Sequence, residues 1–358
     1  KRRHQANPVV LSLATYNLCE QLVRIINRIS ITAFLLKVVN LLLNRYPGKL
    51  CSRFLEHSAM TYMGEQRIAA LLTCHNRCNT TLDCLDSLFQ NRLPEGHSLT
   101  VFLVDDGSTD GTAASVRKRF PNVSVILGDG NLYWNGGMRL AFATAMRNTF
   151  DYYLWLNDDV ILYKNTLSQL LDTAGSVVAY SIIVGTTQGR QGAAATYGGL
   201  VRISQWHPFK YRTMQAGNAP LACDTMNGNC VLVPCEVANK LGNLDTAYIH
   251  TMGDIDYGLR AKSAGFSVFI MPGYAGQCDR HLPGVSPNRS DGIFERYHKL
   301  LGKKGLPLKA WYVFTRRHGG RFWMVFWLWP SVKIPLCATK TAITSWWKDV
   351  LSVMRNIA

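Results

Sequence analysis

Four short apolar runs, residues 69–73, 100–104, 123–127 and 152–156, alternate with stretches of helical spacing. Apolar runs of this length read as strands buried in a sheet. A helical segment between successive strands forces right-handed crossovers, and so a largely parallel sheet whose strand ends converge on one edge. Open α/β sheets bind ligands at that edge. The residues that emerge there are the first candidates for chemistry.

The run 152–156 ends in Asn157-Asp158-Asp159. Paired carboxylates on a rigid strand end suit a hard cation such as Mg²⁺ or Mn²⁺, which takes oxygen ligands and leaves positions for phosphate oxygens. A solvated acidic turn is the other reading. The run 100–104 leads into Asp105-Asp106-Gly107-Ser108-Thr109-Asp110-Gly111, a loop able to grip a nucleoside. Thr109 or Asp110 can cap the helix that follows, whereas neither Asp105 nor Asp106 is needed as a cap. The run 69–73 precedes Cys74-His75-Asn76-Arg77 and a helix with Leu82, Leu85 and Leu88 at apolar spacing.

Two later segments complete the set. Asn135, Gly136 and Gly137 open a helix, with Arg139 one turn in. Glycines at a helix N-terminus let an anion approach free N–H groups, so this is either a pyrophosphate or donor-sugar wall or a tight turn with Trp134 in the core. The segment His250-Thr251-Met252-Gly253-Asp254-Ile255-Asp256 is followed by Arg260 four residues on. A helix from Asp254 pairs Asp256 with Arg260 as an ordinary exposed ion pair and leaves Asp254 for chemistry or for an N-cap.

The order His75-Asn76-Arg77, Asp105-Asp106-Gly107-Ser108, Asn157-Asp158-Asp159 resembles the family 2 glycosyltransferases of GT-A fold, over roughly residues 68–282. That resemblance implies an α/β domain with a mainly parallel central sheet. It implies that Asp105 and Asp106 bind the donor nucleoside, with Thr73 and Arg77 lining the base and phosphate pocket. Asn157 and Asp158 match the donor side of the family's Asp-x-Asp element, and Asp159 its metal ligand, for Mg²⁺ or Mn²⁺. Asn157 departs from the pattern, since many relatives have Asp there; an amide can still hydrogen-bond a ribose. The family's Glu-Asp motif aligns with Gly253-Asp254, which makes Asp254 the general base and Gly253 a second departure. Asn227-Gly228-Asn229 matches the segment leading into the acceptor site, although a glycine turn before a buried strand explains the same letters. His281 matches a position used as a metal or phosphate ligand, and is equally readable as structural. Gln277 to His281 is similar to the Gln-x-x-Arg-Trp signature of processive synthases but ends in His, which argues for single transfers. The run Leu132 to Arg139 is similar to a branch of the family rich in rhamnosyltransferases.

At 358 residues and 47% apolar, the chain can bury a full α/β core plus additions. The expected division is a helical N-terminal segment over 1–63, a catalytic domain over 64–282, and a basic, aromatic helical segment over 283–358. Ten cysteines are scattered without zinc spacing, which favours reduced thiols in a cytosolic compartment. The net charge of +16 calls for an anionic partner: a diphosphate donor, an acidic membrane surface or nucleic acid. Basic residues including Arg316, Arg317 and Arg321 precede the aromatic stretch 322–329. That stretch is too short to cross a bilayer but suits its headgroup interface, or else packs on the catalytic domain. The apolar run 29–43 is interrupted by Lys37 and Asn40, lacks a signal-peptide cleavage pattern, and is open to the same two readings.

The expected function is an inverting, metal-assisted glycosyltransferase taking a nucleoside-diphosphate sugar. Its acceptor is a saccharide or lipid-linked saccharide of a surface glycan, and its place the cytoplasmic face of a membrane. A nucleotidyltransferase of similar fold would need a glycine-rich loop after its first strand, and residues 74–79 contain no glycine. A non-catalytic basic membrane or nucleic-acid binding protein leaves Asp105, Asp106, Asp159 and Asp254 without a role, which sets nucleic acid aside as partner.

Overall fold

The computed structural model describes residues 65–335 apart from 191, 193, 281–291 and 304. The segment 1–63, with its run 29–43, and His281 lie outside the described residues. The first half of the domain follows the expected alternation. β1 (Gln66–Cys74), α1 (Cys78–Phe89), β2 (His97–Asp105), α2 (Thr112–Arg119), β3 (Ser124–Leu127), α3 (Tyr133–Ala145) and β4 (Tyr152–Leu156) succeed one another. The chain continues through β5 (Ile161–Leu162), α4 (Thr166–Ser176), β6 (Ile182–Gln188), β7 (Ala195–Tyr197), β8 (Gly199–Arg202) and β9 (Tyr211–Thr213). It ends with β10 (Leu221–Ala222), β11 (Thr225–Met226), β12 (Cys230–Pro234), α5 (Cys235–Leu241), α6 (Gly253–Ser263), β13 (Val268–Gln277), α7 (Ile293–Leu301) and α8 (Leu308–His318).

The main sheet runs β10-β13-β6-β12-β4-β1-β2-β3, and a second, small sheet joins β11, β8 and β9. Strands β3, β2, β1 and β4 pair in parallel, as the crossovers require. Beyond β4 the sheet becomes mixed, because β12 enters antiparallel between β4 and β6. This insertion positions the site: Cys230 at the start of β12 pairs with Leu156 at the end of β4. Asn229 and Asn157 are thereby neighbours, and the Asn157 N–H donates to the Asn229 carbonyl at 3.0 Å.

Alternation along β1 explains why its run is apolar throughout. Ala69 and Leu71 face one core with Phe142, Trp155 and Tyr257, while Ile68, Ala70 and Leu72 face the other with Leu85, Leu88 and Leu154. A strand covered on both faces has no solvent side to carry polar residues. A third cluster gathers Tyr248, Met252, Leu259, Ala310 and Phe314 between α6 and α8.

Gly137 lies inside this packing. It is buried in α3, and a Cβ there would run into the Thr73 Oγ1 of β1. Gly137→Ala is therefore expected to lower stability by about 1–3 kcal/mol through overpacking. Urea denaturation of the ligand-free protein checks this, and an unchanged midpoint would refute the close α3–β1 contact.

Candidate active site

The carboxyl ends of β1, β2 and β4 meet as expected, and the loops leaving them are tied to one another. Asp105 Oδ1 accepts from the Ser108 N–H at 3.0 Å. Ser108 Oγ accepts from the Asn76 N–H at 2.9 Å. Asp110 bonds the Cys78 N–H at the start of α1 and the Thr112 N–H at the start of α2, so one carboxylate caps both helices. Asp106 gives both oxygens to backbone, accepting from Gly130 at 2.8 Å and Tyr133 at 2.9 Å. It organises the turn before α3, a use that its place in the motif did not reveal. Thr73 is buried against Gly137 beside this turn.

Asp158 and Asp159 follow β4 and share one guanidinium. Arg77 Nη1 donates to Asp158 Oδ1 at 3.3 Å and to Asp159 Oδ2 at 3.0 Å. Asp158 is buried, and burial pushes its carboxyl pKa up to about 7, against the lowering charge of Arg77 and with the raising charge of Asp159. The Cys278 thiol, just past β13, donates to Asp159 Oδ1 at 3.5 Å. Asp158 Oδ2 is buried without a hydrogen-bond partner. An orphaned anionic oxygen beside a second carboxylate is a donor set that fits a hard divalent cation. Among the described residues no group of three His, Cys, Asp or Glu could hold a metal ion. Two carboxylates leave the remaining positions to phosphate oxygens and water.

Residues 227–229 and Asp254 are joined to this motif by Trp134. Its indole N–H donates to Asn157 Oδ1 at 2.7 Å. Its ring lies where any side chain at position 228 would have to go, so Gly228 makes room for Trp134. The Gly228 N–H donates to Asp254 Oδ2 at 2.9 Å, and the Asn227 side chain also hydrogen-bonds Asp254. Burial raises the Asp254 carboxyl pKa, outweighing these hydrogen bonds and that of Ile255, which lower it. Asn229 is buried, with its amide 3.7 Å from the Cys278 sulfur. Three non-glycine residues with positive φ stand at this site: Asn76 (51°), Tyr133 (55°) and Met252 (71°), each at or just before the start of a helix. Sequence reasoning missed Trp134 as a bridge, and its signal was the bulky aromatic followed by Asn-Gly-Gly.

The structure does not bring Asn135, Gly136 and Gly137 to a ligand-facing wall. All three are buried in α3. Asn135 donates to the carbonyls of Tyr248 at 2.8 Å and Asp245 at 3.2 Å. Gly136 and Gly137 pack on Leu132 and Thr73. These small residues let α3 approach β1 and the loop before α6, so the wall assigned to them is corrected to a packing role. Arg139 is half-buried, and its carbonyl accepts from Asn243.

Residues 70–242 match the model of glycosyl transferase family 2. The chain carries a family 2 glycosyltransferase domain. Two curated relatives, both N-acetylglucosaminyl-diphospho-decaprenol L-rhamnosyltransferases from Mycobacterium tuberculosis strains, are each 24% identical over 223 residues, covering 53% of this chain and 69% of the relative. Among solved structures, the chain is similar to the mannosyltransferase PcManGT from Pyrobaculum calidifontis in complex with GDP-Man and Mn²⁺. That likeness has a TM-score of 0.46 and 15% identity, over 82% of this chain and 80% of that one. It is also similar to S. aureus TarS 1-349, with a TM-score of 0.43 and 13% identity over 59% of each chain.

The family 2 match ends before α6, so the geometry of α6 bears on the glycosyltransferase independently. Asp256, expected in an exposed pair, is fully buried and accepts four hydrogen bonds. They come from Tyr248 Oη (3.0 Å), Arg260 Nε (2.8 Å), Arg317 Nη1 (2.7 Å) and His318 Nε2 (2.9 Å). Burial would raise its carboxyl, yet the bonds from His318 and Arg317 and the charge of Arg260 hold it down at about 2. Gly253 explains the missing Glu: any side chain there would collide with the Asn135 amide oxygen. Asp256→Asn leaves the Arg260 guanidinium without its counter-charge and Arg317 with Asp245 alone, and should cost about 3 kcal/mol of stability. Because the folded pKa is depressed, the Asp256 contribution is complete above roughly pH 4 and is lost as pH falls through about 2. Thermal unfolding of both proteins between pH 2 and 7 measures this, and curves that differ as much at pH 2 as at pH 7 would contradict it.

Proposed function

We propose that this chain is an inverting, metal-assisted glycosyltransferase that moves a sugar from a nucleoside-diphosphate donor to a saccharide acceptor, with Asp254 as general base. The observation that carries the reading is the continuous contact from Asn157 through Trp134 and Gly228 to Asp254. It links a carboxylate with a raised pKa to the strand end that carries the carboxylate pair, which supports a base acting near a diphosphate and its cation. The curated relatives' rhamnosyl transfer to a diphospho-polyprenol saccharide supports a deoxyhexosyl donor and a lipid-linked acceptor.

In this mechanism Asp105 and the loop it holds bind the nucleoside, and Arg77 faces the diphosphate. Asp158 and Asp159 would hold Mg²⁺ or Mn²⁺, which when bound neutralises charge growing on the leaving diphosphate. Asp254 accepts the proton of the acceptor hydroxyl as that oxygen bonds to the anomeric carbon. The bond from that carbon to the diphosphate breaks on the opposite face, its electron pair leaves with the diphosphate, and the configuration inverts. Trp134 closes the space between donor and acceptor, and Asn227 and Gly228 keep the base aimed by hydrogen bonds.

Asp254→Asn keeps the size of the side chain but cannot take the proton, so turnover should fall by ~10²–10⁴ with donor affinity retained. The acid limb of the wild-type rate profile should lie above the ordinary carboxylate value of 3.8 and vanish in the variant. Near-normal turnover by Asp254→Asn would sink the assignment. Asp159→Ala should remove the Mn²⁺-dependent part of the thermal stabilisation given by nucleoside diphosphates, because a ligand stabilises only the state it binds. A thermal shift in that variant that still responds to Mn²⁺ as the wild type does would place the cation elsewhere.

A further inference from the structure

The cluster between α6 and α8 encloses an apolar cleft of about 320 Å³ that the transfer mechanism does not use. Phe209, from the loop before β9, forms one wall with Trp311 and Phe314 of α8. Phe326 and Trp329, in the helical residues 323–335, form another. Met252 and Ile255 also line it, and they flank the Gly253-Asp254 pair that begins α6. The cleft thus lies within one helical turn of the proposed base.

Outside the cleft, the apolar surface continues. Phe322, Met324, Val325, Leu328 and Val332 are each 46% to 59% exposed. The segment that carries them is basic: Lys309, Arg316, Arg321 and Lys333 are exposed, and Glu295 is the only acid among the described residues 292–335. An aromatic cleft beside a basic surface complements an amphiphile with a hydrocarbon tail and an anionic head. Of its lining side chains only His207, Tyr211 and the two tryptophans carry a hydrogen-bonding group, too few to match a sugar or nucleotide.

Resting on the transferase reading above, we infer that this cleft binds the hydrocarbon tail of a phosphate-linked lipid acceptor, so that the lipid's own chain delivers its saccharide to Asp254. The cleft lies near the lower end of the size range of ligand pockets, roughly 300–1,000 Å³, which suits the head-proximal part of a long chain. The exposed apolar row carries the remainder away from the site. The head then lies at the Met252–Ile255 end, from which the sugar beyond the phosphate reaches the base, and the cations beside the apolar row draw the anionic lipid to this face.

The test is a titration of the full chain with farnesyl phosphate below its micellar concentration, followed by tryptophan fluorescence, since Trp311 and Trp329 line the cleft. Inorganic phosphate, farnesol and phosphatidylglycerol vesicles are the parallel arms. Saturable binding of farnesyl phosphate is expected, with farnesol weaker and inorganic phosphate unable to displace it. Phe326→Asp should weaken binding about tenfold or more, and Phe326→Leu should stay near wild type. Should Phe326→Asp fail to fold, Trp329→Ser, at a position already 49% exposed, takes its place with the same expectation. Equal affinity of wild type and the folded polar variant overturns the assignment, as does complete displacement by inorganic phosphate. Vesicle binding that the substitution leaves unchanged, with no response to farnesyl phosphate, makes the surface a membrane contact and also overturns it. The probe carries no sugar and needs no donor, so its failure leaves the transferase reading standing. Normal turnover by Asp254→Asn with tail binding intact would overturn that reading alone.

Discussion

The buried carboxylate of Asp256 is the point on which the α6–α8 side of this molecule depends. A fully desolvated charge is tolerated only with complete pairing, and here the partners come from three places: Tyr248 before α6, Arg260 within it, and Arg317 and His318 at the end of α8. Arg317 extends the link to Asp245 at 2.8 Å, and Asn135 of α3 bonds the carbonyls of Asp245 and Tyr248. One ionic cluster thus fixes the angle of α6, holds α8 over it, and joins both to the helix that faces β1. Asp254 sits two residues away, and its orientation follows from that framework.

The basic C-terminal region acquires two distinct roles from this arrangement. Arg317 belongs to the interior network, whereas Arg316 and Arg321 remain exposed beside Trp323 and Phe322. No helix among the described residues is long and apolar enough to cross a membrane. The aromatic stretch 322–329 is divided in the same manner: Phe326 and Trp329 line the cleft, and Phe322, Met324 and Val325 face outward. One segment thus divides between residues packed on the domain and residues left facing outward.

What was legible in the sequence is what local pattern encodes. The four parallel strands, the crossovers and the carboxylates at strand ends follow from runs of apolar residues and from what interrupts them. The antiparallel entry of β12 between β4 and β6 was not legible, because it pairs residues some 75 positions apart through a register that no local signal specifies. Asp106 and Asn135 show the other limit. Each is a polar residue in a loop or at a helix start, and such residues serve backbone and ligand with the same atoms. Only burial and hydrogen-bond partners tell the two uses apart. Asp256 and Arg260 lay at the expected helical spacing, but their depth came from α8, some sixty residues downstream.

Trp134 makes the two sides of the site mechanically one. Its nitrogen holds Asn157 beside Asp158, and its ring occupies the space left by Gly228 beside Asp254. A change in the 227–229 loop would press on that ring and be felt at Asn157. On the mechanism proposed above, donor and acceptor specificity are then not interchangeable modules: diversification must proceed by concerted replacement around the indole, or else outside its reach, in the cleft and the loops of the second sheet.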